Sequence, residues 1–244
     1  MLKQQTKSES GFSLLELIIA MAITLALAAA ACTLLAQSLK IRTRANDKID
    51  GLADAQRALN IMSREIANAG FNLSDNGIVA ADSVTDASGN STIRIRANLN
   101  KFDFSPTISD AARQSIGVVD QDLGEDVKYF VWPDENRHLL ARWDRYDSSD
   151  GNGTVLANRL DSLHIHYFSQ RVTYSTVMTS GISGCDITGA SAVEVTPDLA
   201  KYIVIAACVQ QPAVGAPGSP GYQPQTNTLL VSDVVLRNNN LVAY

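Results

Sequence analysis

The sequence is poor in charge and has no basic cluster. Its 244 residues include 20 Lys and Arg against 25 Asp and Glu, which gives a net charge of −5. Charged residues make up 18% of the chain, below the roughly 25% of an average soluble domain. Because a nucleic-acid-binding surface is built from clustered lysine and arginine, we expect no nucleic acid among the partners of this chain.

The motifs of common catalytic sites are also absent. The sequence contains no G-x-S-x-G, no Walker phosphate-binding loop, no H-E-x-x-H and no C-x-x-C. A nucleophilic, phosphoryl-transfer or zinc mechanism would therefore depend on isolated residues. We interpret the chain as a protein that is not an enzyme and whose work is assembly.

Charge is missing chiefly near the N-terminus. Between residues 12 and 36 the only charged residue is Glu16. An apolar helix of about 20 residues, at ~1.5 Å per residue, is long enough to cross a bilayer. A secretory signal peptide is the alternative, but its apolar region is usually only about 7 to 15 residues long. We therefore predict a single membrane-spanning helix over residues 12–36.

Basic residues on both sides of this span bear on its orientation. Lys3 and Lys7 precede the span, and by the positive-inside rule they favour a cytoplasmic N-terminus with the remainder across the membrane. Lys40, Arg42 and Arg44 follow the span closely and oppose that orientation. We expect the distal part of the chain to be periplasmic.

The chain has only three cysteines. Cys32 lies in the apolar run and is best explained as a small apolar residue. Cys185 and Cys208 lie in the distal region, and a disulfide between them would suit an oxidising periplasm. Two unrelated buried thiols are the alternative.

Proline is absent from residues 12–69, so nothing breaks a helix there. After the span, apolar or small residues recur at steps of three and four up to Ala69, which predicts an amphipathic helical half over residues 37–70. Gly51 costs about 1 kcal/mol relative to alanine, and Gly70 is placed to end the helix. The stripe expected to dock a head consists of Leu52, Leu59, Met62 and Ile66.

Beyond Phe71 the pattern changes to short apolar runs bounded by Gly, Asn, Asp, Ser and Pro. This pattern is typical of antiparallel strands and turns, and it predicts a β-rich head over residues 71–244 and an α+β fold. Pro133 is expected to end the second strand, and the proline-rich residues 210–225 to form an exposed loop. The predicted strands cover residues 92–97, 126–132, 139–143, 162–168, 202–209 and 228–236.

Glu16 is the most informative residue of the span. An ionised carboxylate in the apolar part of a bilayer costs roughly 2.5 to 3.5 kcal/mol, so such residues usually have a partner. Glu16 could reach the headgroups from the helix start, or be protonated. If the bond between Gly11 and Phe12 is cut, however, a new α-amine arises one helical turn before Glu16. That amine, in the same molecule or in a neighbour, could neutralise the carboxylate and set the stagger between subunits.

Residues 11–18, Gly-Phe-Ser-Leu-Leu-Glu-Leu-Ile, resemble the cleavage and methylation motif of type IV pilins and pseudopilins. The resemblance implies that residues 1–11 are a leader, that prepilin peptidase cuts after Gly11, and that the amine of Phe12 is then methylated. It implies an inner-membrane protein with a periplasmic head that later enters a pilus or pseudopilus. The implied partners are prepilin peptidase, other pilin or pseudopilin subunits and an inner-membrane assembly platform.

A second resemblance narrows the family. Residues 56–71 are similar to the end of the long helix in PilW-type minor pilins and in J-type pseudopilins of type II secretion, and residues 124–130 and 232–238 resemble strands of that group less specifically. Many major pilins have a proline within the membrane helix, and this chain has none. This absence favours a minor, initiating subunit or a pseudopilin over the main building block of a pilus. We expect a minor, initiating or tip-associated pilus subunit. The alternatives are a type II secretion pseudopilin and, in another class, a single-span periplasmic binding or sensor protein.

Two weaker patterns concern metals. His164 and His166 would share one face of a strand and could bind a metal with His138 or an acid, but packed histidines are the preferred explanation. No resident cofactor is expected. Calcium binding remains an alternative because the chain resembles pilin-like heads that use calcium, although no EF-hand pattern is present. Its candidate ligands are Asp120, Asp122, Asp147 and Asp150.

Overall fold

The computed structural model describes residues 13–73, 75–99, 123–134, 137–147, 153–178, 185–211, 213–219 and 221–238. The chain divides into two compact units. One unit comprises residues 1–46 and 214–223, and the other comprises residues 47–213 and 224–244. A long N-terminal helix and an antiparallel sheet confirm the predicted α+β fold.

Helix α1 spans Leu14–Ala67 without a break. It ends two residues before the predicted Ala69, and the C-terminal part of the chain satisfies carbonyl groups at this end. The amide of Arg237 donates to the Ala67 carbonyl at 3.2 Å, and Asn238 Nδ2 donates to the carbonyl of Asn68 at 3.2 Å. Gly70 follows this end with φ of 76°, a conformation that glycine adopts readily.

Six antiparallel strands form the main sheet in the order β1-β2-β3-β4-β7-β8. A separate hairpin consists of β5 and β6, and short 3₁₀ turns lie at Ala80–Asp82 and Pro197–Leu199. The strand bounds are Ile93–Arg96 for β1, Asp126–Asp134 for β2, Arg137–Asp144 for β3, Gly153–Phe168 for β4, Ser175–Met178 for β5, Cys185–Thr188 for β6, Tyr202–Gln211 for β7 and Thr226–Val235 for β8.

The strands of the main sheet confirm the predicted segments, with corrections at their ends. The prediction that Pro133 ends the second strand was wrong: β2 continues to Asp134, and Pro133 pairs with His138. Pro133 is exposed near the end of β2, where a missing backbone N–H is tolerated. Strand β4 begins nine residues earlier than predicted, and β5 and β6 were not predicted. The proline-rich connection is a loop, in which Val214 pairs with Gln223 and Gly221 approaches Gln37.

The main core lies between α1 and one face of the sheet. Leu59, Met62 and Ile66 are buried in it, and Leu52 packs partly against it, so the predicted docking stripe is confirmed. The stripe is shorter than the periodicity suggested, because Ile49 remains 63% exposed. Sheet residues of this core include Tyr129, Leu140, Leu163, Ile165, Ile203 and Ile205.

Gly51 marks a close approach between α1 and strand β4. A Cβ atom at Gly51 would lie 3.0 Å from Cδ of Arg159, whose Nη2 is 3.4 Å from a carboxylate oxygen of Asp47. The arginine therefore crosses the helix where a side chain is absent. This contact is a physical reason for a glycine that costs helix propensity.

A polar group also joins α1 to the sheet. Glu65 accepts a hydrogen bond from the hydroxyl of Tyr129 and lies 3.1 Å from Nε of Arg142, so it connects to both β2 and β3. Burial, together with the Glu65 carboxylate, raises the pKa of Tyr129. Tyr129 is thus neutral, and its hydroxyl donates a hydrogen bond to Glu65, which fixes the rotation of the helix against the sheet.

We predict that Met62→Ala lowers the free energy of unfolding by about 2 to 5 kcal/mol, since a fully buried methionine is replaced by a cavity. Urea denaturation of the full chain in detergent micelles, followed by tryptophan fluorescence, measures this change. Gln56→Ala, on the exposed face of the same helix, is the control and should leave the unfolding midpoint within error. Equal effects of both variants would contradict the docking face.

Candidate functional site

The N-terminus of α1 is closed by a reciprocal pair of hydrogen bonds between Ser13 and Glu16. Oε2 of Glu16 accepts from the backbone N–H of Ser13 at 3.3 Å, and Oγ of Ser13 accepts from the N–H of Leu15 at 3.3 Å. This arrangement is a capping box, which satisfies backbone donors that the first helical turn leaves unpaired. Glu16 therefore has a local structural role besides any role in assembly.

The S-x-x-E spacing that forms this cap is visible in the sequence, but the expectation for Glu16 rested on its charge alone. A backbone N–H leaves the formal negative charge of Glu16 in place, so the cap does not replace a cation as its partner. Gly11 and Phe12, the predicted cleavage and methylation positions, lie outside the described residues.

The apolar half of α1 is exposed along its length. Among the described residues, α1 is a helix long and apolar enough to cross a membrane, and no residue of its most apolar segment is buried. Leu14, Leu25 and Leu34, for example, are 77%, 77% and 67% exposed. An exposed apolar surface of this extent needs lipid or other protein around it. It is consistent with membrane anchoring through α1.

The β5–β6 hairpin covers part of the sheet face opposite α1, which we call the outer face. The predicted disulfide is present there: Cys185 of β6 is bonded to Cys208 of β7, with 5.8 Å between their Cα atoms. A second apolar cluster lies beneath the hairpin. It contains Phe168, Val172, Tyr202 and Val204, with Tyr174, Ile187 and Val231 packed against it.

A histidine link holds the same hairpin. His164 and His166 share the outer face of β4, as their spacing predicted. Nε2 of His166 lies 2.7 Å from Oδ1 of Asp186 on β6, and its Nδ1 lies 2.8 Å from Oε1 of Glu194. Asp186 also approaches Nδ1 of His164, at 3.8 Å. Asp186 and Glu194 were missed because they lie far along the chain and only the fold brings them to the histidines.

The link contains a protonated imidazole between two carboxylates. Burial alone lowers the pKa of His166, but the hydrogen bonds to Asp186 and Glu194 outweigh burial and raise the pKa from 6.5 to about 9. Burial would raise the pKa of Asp186, but the hydrogen bond to His166 and the charge of His166 outweigh burial and lower this pKa. Each nitrogen of His166 then donates to one carboxylate, which makes the residue a cross-link between β4, β6 and the chain that follows β6.

The metal patterns have different outcomes. Within the described parts of the chain, no group of three or more His, Cys, Asp or Glu side chains is arranged to hold a metal ion. His138 is not with the other histidines: its Nδ1 lies 3.0 Å from the carbonyl oxygen of Asp161. Of the calcium candidates, Asp147 is described, and Asp120, Asp122 and Asp150 lie outside the described residues. Calcium binding therefore stays a prediction.

The His166 link predicts a stability that depends on pH. Because its pKa is higher in the folded chain, the link stabilises the fold fully below pH 6.5, and this stabilisation is lost as the pH rises through about 9. We expect a loss of about 1 to 2 kcal/mol after allowing for solvent screening of the exposed Glu194. Thermal unfolding of the full chain in detergent, measured between pH 6 and pH 9.5, tests this expectation.

His166→Gln should make the unfolding temperature nearly constant across this pH range, because the titrating group is gone. His138→Gln, a histidine replacement elsewhere in the sheet, should keep the dependence of the parent chain. A His166→Gln variant that loses stability with pH as steeply as the parent would show that other groups cause the effect.

The N-terminal segment also carries a recognisable signal. Residues 6–31 match the family model of the prokaryotic N-terminal methylation motif. No curated protein and no solved structure matches the chain. The matched residues include the predicted cleavage position, the Ser13–Glu16 cap and much of the exposed apolar surface. The match supports a type IV pilin-like protein that is processed by prepilin peptidase and assembles with other pilin subunits.

Proposed function

We propose that this chain is a minor subunit of a type IV pilus, initiating or tip-associated, that resides in the inner membrane before assembly. The observation that carries the proposal is the coincidence of the methylation motif at residues 6–31 with a helix whose apolar side chains are exposed. In this proposal residues 1–11 are the leader and residues 12–36 span the membrane. Residues 37–70 form the amphipathic half, and residues 71–244 form the periplasmic head.

The mechanism follows from the two kinds of surface on α1. In the bilayer, lipid covers the apolar half, and in the filament the same surface packs against helices of neighbouring subunits. The amphipathic half of α1 stays packed against the head through the buried stripe that ends at Ile66. An inner-membrane assembly platform would move the subunit between these two environments without unfolding the head.

In this proposal Glu16 sets the axial position of each subunit relative to its neighbours in the filament. Cleavage after Gly11 creates an amine at Phe12, one helical turn from the carboxylate, and methylation leaves that amine able to carry a positive charge. A neighbour placed out of register would leave both charges unpaired in an apolar environment, which costs several kcal/mol. Charge pairing would thus select one axial step between subunits.

A secretion pseudopilin is the second candidate function. It uses the same leader, helix and head, and residues 56–71 resemble both groups, with the PilW-type minor pilins the closer, so the sequence barely separates the two functions. Genes for pilus components or for secretion components next to the gene of this chain would decide between the two. A periplasmic sensor is the remaining alternative, and it would keep its leader.

The mature chain should begin at Phe12 with a methylated amine. We expect this result because prepilin peptidase cuts after the glycine of its motif and modifies the residue exposed by the cut. Intact mass measurement and N-terminal peptide sequencing of the chain from native membranes test it. A chain that begins at Met1, or at an alanine within the span, would contradict the proposal.

Glu16→Gln should insert in the membrane and be cleaved, yet enter filaments at least about tenfold less than the parent. The substitution leaves the positive amine of Phe12 without its carboxylate among packed helices, which costs more than about 1.4 kcal/mol. Glutamine can still accept the N–H bond of Ser13, so the helix cap is retained. Counting tagged subunits in sheared filaments against those in membranes measures incorporation.

Ser13→Ala is the matched control, since it removes one bond of the cap and leaves the charge of Glu16. It should be incorporated nearly as well as the parent. If Ser13→Ala fails and Glu16→Gln succeeds, the cap rather than the charge pair governs assembly.

A further inference from the structure

The outer face of the sheet is covered by the β5–β6 hairpin on one side and is apolar and exposed on the other. Strand β2 alternates from Val127 to Trp132: Val127, Tyr129 and Val131 are buried in the core beneath α1, so Phe130 and Trp132 lie on the outer face. Trp132 is 58% exposed, and its ring lies edge-on to Phe130 with 6.1 Å between centroids.

The strand register extends this surface across β3 and β4. Leu139 pairs with Trp132, Trp143 pairs with Lys128 on the outer face, and Val155 of β4 pairs with Ala141 and is 54% exposed. We call this surface the aromatic patch, and it consists of Phe130, Trp132, Leu139, Trp143 and Val155. It contains both tryptophans of the chain. Exposed tryptophan surrounded by aliphatic side chains is typical of protein interfaces.

Cations border the aromatic patch at its β1 end. Lys128 precedes Phe130 on the outer face, and the side chains of Lys128, Arg96 and Arg145 are 33%, 37% and 51% exposed. Asp126, which is buried, accepts from Arg94, and it lies 3.4 Å from Arg96 and 3.6 Å from Arg145. Among the described residues, the ion pairs of this border join two carboxylates, Asp82 and Asp126, to four cations, Arg94, Arg96, Lys128 and Arg145, so these pairs leave an excess of positive charge. A surface that complements it is apolar and acidic.

The chain itself presents such a surface between β6 and β7. Val193 is 87% exposed and Leu199 is 62% exposed, and the exposed acids Glu194 and Asp198 lie within the same seven residues. We call residues 193–199 the acidic segment. Its shape is fixed, because the amide of Val195 donates to the carbonyl of Tyr167 at 2.9 Å and Glu194 is held by His166.

We propose that the aromatic patch of one copy binds the acidic segment of a second copy. Val193 and Leu199 would cover Trp132 and Val155, while Asp198 would face the positive border. The contact joins two different surfaces, so a dimer keeps a free segment on one copy and a free patch on the other, and association continues head to tail unless the rotation closes a ring. Neither surface includes α1 or the cleavage site, so the contact does not depend on the proposed function.

A single-stranded nucleic acid is the other occupant that aromatic and basic side chains can attract. The aliphatic members of the patch, Leu139 and Val155, offer no stacking surface, and Asp126 offsets part of the local positive charge. The matching charge and exposed apolar residues of the acidic segment favour a second copy.

Sedimentation of the full chain in detergent micelles tests the proposal with one variant of each surface. Trp132→Glu disrupts the patch, and Val193→Lys combined with Asp198→Lys disrupts the segment. All these positions are exposed, so the fold should be retained, which circular dichroism verifies. We expect each variant to weaken self-association by about tenfold or more. Val235→Glu, an exposed apolar position on β8, should associate like the parent.

The decisive measurement is sedimentation of a mixture of the patch variant and the segment variant. Each mixed pair retains one intact patch and one intact segment, so the mixture should form dimers and nothing larger, and the tryptophan emission of the patch should shift on dimerisation. The proposal is overturned if the parent chain does not self-associate, if only one of the two surface variants weakens association, or if mixing restores nothing. Quenching of the tryptophans by an oligothymidylate, without self-association, would assign the patch to nucleic acid instead.

Discussion

The packing of α1 against the sheet is the interaction on which the rest of the head depends. Strands β4 and β7 turn Leu163, Ile165, Ile203 and Ile205 toward the helix, and these side chains would be exposed if the helix were absent. The rotation of the helix is fixed by Glu65, which contacts β2 and β3, and by the passage of Arg159 over Gly51. Because one face of the sheet is occupied in this way, the hairpin, the histidine link and the aromatic patch are all confined to the other face.

The same helix has to satisfy two environments. From Gly51 to Ile66 its apolar face is covered by the head, whereas from Leu14 to Leu35 its apolar side chains are exposed. A chain with this division cannot be stable in water by itself, since the exposed half would aggregate or enter a membrane. The methylation motif lies at the start of the exposed half, where processing alters charge without disturbing the head. This separation of a processed, exposed half from a folded head is what an assembly subunit needs.

Periodicity was sufficient to predict the helix, its docking stripe and the strands of the main sheet, because those elements bury regular apolar faces. The β5–β6 hairpin was not predictable from periodicity, since its four-residue strands are held by the Cys185–Cys208 disulfide and by His166, which are tertiary contacts. The prediction at Pro133 failed because a proline near the end of an antiparallel strand can pair with the neighbouring strand although it has no N–H to donate. The aromatic patch needed the strand register, whereas the Ser13–Glu16 cap was readable from its spacing alone.

The central claim is that lipid or other helices surround the apolar half of α1 in the native protein. Cys32 lies within that half and is the single free thiol, because the other two cysteines form the disulfide. The most direct measurement is the reaction of Cys32 with a membrane-impermeant maleimide, with Ile49→Cys as an exposed reference position on the same helix. The account predicts that in intact membranes Cys32 is unreactive while the thiol introduced at position 49 reacts, and that Cys32 reacts after denaturation. Rapid labelling of Cys32 in intact membranes would contradict the account.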